Sequence, residues 1–431
     1  MGSNSFPGVT RVARSRIGGA VRPVMVWVHR WVGLLLAVVL VIEGLTGSLL
    51  TYRADLTRWL APELQVSAPG ADAKRLDFPA LAERAEQLVG PRAAVAYYFN
   101  SDDSPVTLRL RALTDPESGK PYPLDRPTIV LDPWTGRDLA PPAGEGVWRA
   151  FARKVMPFVY DLHTTLTLGS TGSTILGIVA LCWTLDCFWS FYLTLPPGGG
   201  RFSRWWTTAW TVRWRAPAVR LNFDVHRAGA LWFWALLFIF AWSSVYLALP
   251  SAYDAVTRTL TDYVDTDQTL RNLPNRPRAV PVLGWRAAVA AGDRIIRDIA
   301  NREQIAIGKP LLIAYFPESD LYSYSVTTDR RFPRFSELNI YLDADTGALL
   351  SVNRPTGEHL GNTITSWLYS LHLVKDPVDH WSYRLLVCAV GIVTTLLVGT
   401  GIYIWWRKRA ARRWARHRHE AAAGVAAGAR T

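Results

Sequence analysis

The chain has 431 residues and a formal net charge of +13, and 49% of its residues are hydrophobic. Mean hydropathy is nevertheless only +0.08, so the apolar residues are gathered in a few segments with long polar stretches between, which excludes a chain buried in a membrane throughout. The three cysteines all fall in apolar segments and there is no Cys-x-x-Cys-His, which excludes a disulfide framework or thiolate zinc site in the polar stretches and covalent haem attachment.

In chain order, residues 1–23 are a basic tail carrying Arg11, Arg14, Arg16 and Arg22 without an acid. A first span follows at 24–52. Its apolar run is too long for a signal peptide, and no small-residue cleavage site follows Tyr52. Residues 53–162 form a polar module with an amphipathic helix over Phe78–Val89, whose Leu81, Ala85 and Leu88 share a face. Strands are predicted at Ala94–Phe99, Val106–Leu113 and Thr128–Asp132, and Thr135-Gly136 makes a tight turn.

The second span, 163–195, has its apolar core at Thr174–Leu195. The loop 196–225 holds Arg201, Arg204, Arg213, Arg215 and Arg220, with no acid before Asp224. A third span occupies 226–250, with its core at Ala228–Pro250. A second module, 251–371, has a predicted helix at Leu283–Ala300 and strands at Leu311–Phe316, Tyr322–Thr327, Leu338–Asp343 and Ala348–Val352. The fourth span, 372–406, has its core at Tyr383–Trp406, and Asp376-Pro377 predicts a helix break before it. Residues 407–431 are again basic.

Each apolar core reaches the roughly 20 residues needed to cross a bilayer. The basic residues concentrate in the two tails and the short loop, while the long modules mix both signs. That asymmetry predicts both termini and the loop in the cytoplasm and both modules outside. Topology thus accounts for the positive charge, and nucleic acid is not an expected partner; membrane lipid is. Trp205, Trp206, Trp210, Trp405 and Trp406 sit at span ends, as interfacial anchors do.

Three motifs occur twice in the same order. Val28-His29-Arg30 returns as Val225-His226-Arg227, Asp132-Pro133-Trp134-Thr135-Gly136 as Asp343-Ala344-Asp345-Thr346-Gly347, and Tyr160-Asp161-Leu162-His163 as Tyr369-Ser370-Leu371-His372. An internal two-fold repeat follows. The fold class is an α-helical membrane protein of four transmembrane helices with two small α+β modules. The Asp and Thr of the repeated turns read as structural.

Halves that begin and end on the same side are parallel repeats about an axis along the membrane normal. This places His29 opposite His226 near the cytoplasmic side and His163 opposite His372 near the outer side. Two bis-histidine haems, a copper or zinc ion in each pair, and a proton relay all fit such pairs. Arg30 and Arg227 would neutralise haem propionates. His163 and His372 lie about a dozen residues before their apolar cores, or ~18 Å on an unbroken helix. A break would bring the outer pair closer, and His380 is an alternative to His372. Glu43 lies fourteen residues after His29 on nearly the same helical face, where a proton or quinol contact and simple packing both fit. Asp186 has no such alignment and reads as packing.

The repeated order of His-Arg, Asp-x-x-Thr-Gly and Leu-His resembles the PepSY-associated transmembrane helix family over Val24–Arg409. The resemblance implies two PepSY-like periplasmic modules on an inner-membrane haem protein of a Gram-negative bacterium that reduces ferric siderophores during iron uptake. It implies two haem b groups per chain, with His29, His226, His163 and His372 as axial ligands, and either quinol or a separate protein as electron donor. The third span departs from the first: its glycine, Gly229, stands three residues after His226, whereas Gly33 stands four after His29. A non-enzymatic anchor or sensor that restrains a periplasmic peptidase or reads an envelope ligand is the alternative function.

Overall fold

The computed structural model describes residues 17–428 apart from 71, 100–104, 116, 125, 141–145, 197–205, 265–275, 330–336, 355–356 and 376–377. Arg11, Arg14, Arg16, Arg201, Arg204, Trp205 and Asp376-Pro377 therefore lie outside the described residues. The chain divides into two compact units.

The first unit comprises residues 1–48, 168–245 and 386–431 and holds the apolar helices. Helices α1 (Ile17–Leu50), α5 (Gly169–Thr194) and α11 (Trp381–Gly428) each contain a stretch long and apolar enough to cross a membrane. The predicted third span is instead two helices, α6 (Ala218–Trp232) and α7 (Trp234–Ala248), which meet the same criterion together but are bent by 66°. No proline stands at the bend. The indoles that flank it are tied to different elements: Trp232 Nε1 donates to the Trp210 carbonyl at 3.0 Å and Trp234 Nε1 to the Cys187 carbonyl at 2.9 Å. Leu35 and Val38 of α1 are largely exposed, as lipid-facing side chains are.

Helices α1 and α11 touch where glycines remove both side chains. A Cβ on Gly44 would lie 2.6 Å from the Gly391 carbonyl oxygen, and one on Gly391 would lie 2.3 Å from that of Gly44. Small residues at a membrane helix crossing permit this backbone approach. Arg22 of α1 donates to the Leu193 and Leu195 carbonyls, supplying a cation at the C-terminal end of α5.

The second unit comprises residues 49–167 and 246–385. It contains α2 (Arg53–Leu60), α3 (Phe78–Val89), α4 (Val147–Thr165), α8 (Pro250–Leu260), α9 (Trp285–Glu303) and α10 (Leu360–Leu373). Strands β1 (Ala93–Phe99), β2 (Val106–Ala112), β3 (Thr128–Leu131), β4 (Ile307–Phe316), β5 (Leu321–Thr328), β6 (Glu337–Asp343) and β7 (Leu349–Asn353) complete it.

Sequence patterning predicts two separate modules, whereas the strands form one seven-stranded antiparallel sheet in the order β3-β2-β1-β4-β5-β6-β7. The join is β1 on β4, with Tyr97 opposite Ala314 and Phe99 opposite Leu312. Each strand would otherwise be an open edge, and each covers the other. Helices α3 and α9 share one core over the sheet. Leu81, Ala85, Trp285 and Ile296 pack with Leu108, Leu110, Tyr322 and Ile340. Strand β2 alternates strictly, with Val106, Leu108 and Leu110 buried and Thr107 and Arg109 exposed.

Both Asp-x-x-Thr-Gly turns are built alike. Asp132 accepts from the Trp134 amide at 2.9 Å and the Thr135 hydroxyl at 2.8 Å, and Asp343 from the Asp345 amide at 3.0 Å and the Thr346 hydroxyl at 2.8 Å. Gly136 and Gly347 then take φ of 65° and 69°, which glycine adopts without strain.

Candidate functional site

His29 sits on α1 and His226 on α6, and their ring centres are 6.1 Å apart. Each ring is held from behind. His29 Nδ1 lies 2.9 and 3.0 Å from the two carboxylate oxygens of Asp186 on α5. His226 Nδ1 lies 3.0 Å from the Leu397 carbonyl and 3.0 Å from the Thr400 hydroxyl on α11. A carboxylate and a carbonyl only accept, so both Nδ1 atoms carry the proton. Each Nε2 is left with its lone pair for a metal, the usual arrangement of an imidazole ligand with an outer hydrogen-bond acceptor. Helices α1, α5 and α11 and the first helix of the bent pair, α6, therefore contribute to this one place.

Sequence reasoning missed Asp186. Its helical face does not align with any motif, and its partner is 157 residues away in the chain. The only available signal was that an acid inside an apolar segment requires a partner.

The glycines that follow each histidine in sequence do not pack closely. A Cβ on Gly33, one turn from His29, would meet nothing within 4 Å, and one on Gly229 would only touch Leu397 at 3.7 Å. Gly401 is the close one: its Cβ would come within 3.2 Å of His226 Cε1. Arg227 is already engaged by Asp224 at 3.1 Å and by the Thr208 and Ala209 carbonyls at 2.6 and 3.2 Å. Asp224 is fully buried and also holds Arg213 and Arg220. Arg30, partly exposed on α1, makes no side-chain hydrogen bond among the described residues. Glu43 lies beside Gly44 at the crossing of α1 with α11, on the helix that carries His29.

The second pair belongs to the sheet-containing unit. His163 is near the end of α4 and His372 near the end of α10, with ring centres 6.5 Å apart. Neither helix runs on into the following span, as the ~18 Å spacing assumed. Leu166 ends α4 and Val374 ends α10, each in the left-handed conformation with φ of 51°. His380 lies after this break; its Nδ1 is 2.8 Å from the Ser382 hydroxyl and its ring centre is 5.6 Å from that of Trp381, the two rings tilted by 46°.

Both pairs fit the span of an axial ligand set. A metal–imidazole bond of about 2.0 Å and about 1.1 Å from nitrogen to ring centre, doubled, give a centre-to-centre distance of about 6.2 Å. The observed 6.1 and 6.5 Å bracket it. Each pair supplies two nitrogens. A bare zinc or copper ion asks the protein for three or four ligands, whereas a porphyrin brings four of its own.

No curated protein matches the chain. The family described as the PepSY-associated TM region matches residues 26–408, nearly the whole chain. This membrane protein belongs to the PepSY-associated TM region family.

Proposed function

We propose that the chain is a bacterial inner-membrane reductase that carries two haem b groups and passes electrons to ferric siderophore in the periplasm, releasing Fe(II) for uptake. The observation that carries this reading is the pair of facing imidazole couples with ring centres 6.1 and 6.5 Å apart. The arrangement is read as a duplicated two-span unit, four spans in all, with both termini cytoplasmic and the sheet-bearing segments outside. The one-sided clustering of arginine in the tails and short loop supports this topology.

His29 and His226 would hold one haem and His163 and His372 the other. Asp186, the Leu397 carbonyl and Thr400 fix the tautomers of the inner couple. With Arg227 engaged by Asp224 and two carbonyls, Arg30 is the better placed of the two for a propionate. Haem, when bound, supplies reversible one-electron transfer. A siderophore grips Fe(III) with hard oxygen donors; one electron converts it to Fe(II), which those donors hold less well. The loop 196–225 is too short to fold a flavin or nicotinamide domain, and in this reading quinol or a separate protein is the electron donor.

The test is the purified protein itself. It should be red, with two acid-acetone-extractable haems per chain. After anaerobic reduction by dithionite, its haem should be reoxidised by ferric siderophore with matching capture of Fe(II) by a ferrous chelator. Protein that stays reduced with every ferric chelate refutes the substrate. A colourless protein refutes the haem reading and favours the non-enzymatic anchor.

A further inference from the structure

We infer that Asp186 is a positioning residue whose charge makes His29 a partly anionic ligand and biases the inner site toward its ferric state; this rests on the haem reading above. Both carboxylate oxygens of Asp186 lie within 3.0 Å of His29 Nδ1, and Asp186 is buried. The opposite ring receives only neutral acceptors, the Leu397 carbonyl and the Thr400 hydroxyl. The two imidazoles that would hold the inner haem are therefore unlike: His29 is backed by a negative charge, His226 by dipoles.

Charge-assisted hydrogen bonds are roughly twice as strong as neutral ones. Pulling the Nδ1 proton toward a carboxylate raises electron density at Nε2 and makes the imidazole a stronger donor. Ferric iron in a porphyrin carries one more positive charge than ferrous iron. A strengthened donor with a fixed negative charge behind it therefore favours the oxidised state. Burial amplifies the effect, because few water dipoles screen the carboxylate. The same contact explains why an acid is tolerated inside an apolar helix: its partner is a proton donor fixed on the neighbouring span.

The substitution that isolates charge from shape is Asp186→Asn, and Asp186→Glu restores the charge. The inner haem is identified as the spectral component lost in His29→Ala. Midpoint potentials and ferric low-spin EPR g-values are measured on purified full-length protein with haem content determined for each sample. In Asp186→Asn the inner haem should shift at least about tenfold toward the ferrous state, about 59 mV more positive for a one-electron couple. Its g-values should move toward those of a neutral bis-imidazole, the outer haem should stay within threefold, and Asp186→Glu should return most of the shift.

Two retained haems with an unmoved inner potential in Asp186→Asn overturn the inference and leave the haem reading intact. If Asp186→Asn loses the inner haem, Asp186→Glu decides: recovery of haem and potential supports the inference, while an equally empty, folded variant assigns Asp186 to packing and overturns it. Wild-type protein without haem overturns the functional reading and this inference with it.

Discussion

Replacing Gly391 by alanine tests the helix crossing that frames the inner site. The new Cβ would stand 2.3 Å from the Gly44 carbonyl oxygen and 2.2 Å from Ser48 Oγ. The Ser48 hydroxyl can rotate away, but the carbonyl is backbone, and relaxed carbon–oxygen contact needs about 3.4 Å. Helices α1 and α11 must therefore part by about 1 Å. Overpacking of this kind costs about 1–3 kcal/mol. Leu397 and Thr400, the acceptors behind His226, lie six and nine residues further along α11, about 9 and 14 Å away at 1.5 Å per residue. A lowered melting temperature by tryptophan fluorescence in detergent is expected, with reduced occupancy of the inner haem. Gly44→Ala should act alike, and the double variant should cost less than the sum, because one separation relieves both contacts. Gly399→Ala on the same helix meets nothing within 4 Å and should be neutral or mildly stabilising. A Gly391→Ala protein that melts with Gly399→Ala would refute the crossing.

Three further outcomes are expected. Burial raises the carboxyls of Asp132 and Asp343, but the amide and hydroxyl bonds of their turns outweigh it and hold both below the ordinary value. The stability so gained is present above the unfolded carboxyl pKa of about 3.9 and is lost as pH falls through the lower folded values. Acid unfolding followed by near-UV circular dichroism should thus be less steep in the Asp132→Asn/Asp343→Asn protein, and an unchanged slope would count against these bonds. Leu108→Ala removes a fully buried side chain and should destabilise the sheet unit by about 2–5 kcal/mol in urea unfolding. Because the sheet is continuous, it should do so in one transition; two separate transitions would argue for independent modules. His163→Ala and His372→Ala should abolish the same haem component by difference spectroscopy, whereas His380→Ala should spare both, and a loss in His380→Ala would make it the outer ligand.

Much of the architecture is visible in the sequence because the signals are local. The helix Phe78–Val89 is found where its apolar period predicts it, and the strand starts fall within four residues of their predicted places. The histidine couples are visible for a different reason: repetition of Val-His-Arg and Leu-His converts sequence order into spatial pairing. Features that depend on two distant segments are not visible. The β1–β4 join involves Tyr97 and Ala314, neither of which carries a pattern specifying the other. The bend after Trp232 contains no proline and depends on where two indole N–H groups find carbonyls. Asp186 looks like a stray polar residue until α1 brings His29 beside it.

The central strand pair also imposes a schedule on biosynthesis. Tyr97 must wait for Ala314, which is 217 residues later in the chain. At translation rates of about 5–20 residues per second the delay is roughly 10–40 s. Throughout it β1 presents unpaired amides and carbonyls to any passing strand, and β2 and β3 cannot shield them because they lie on its other side. The nascent first half is thus most vulnerable while the later spans are still being made, and whatever protects that edge in the cell acts before the second half of the sheet has been translated.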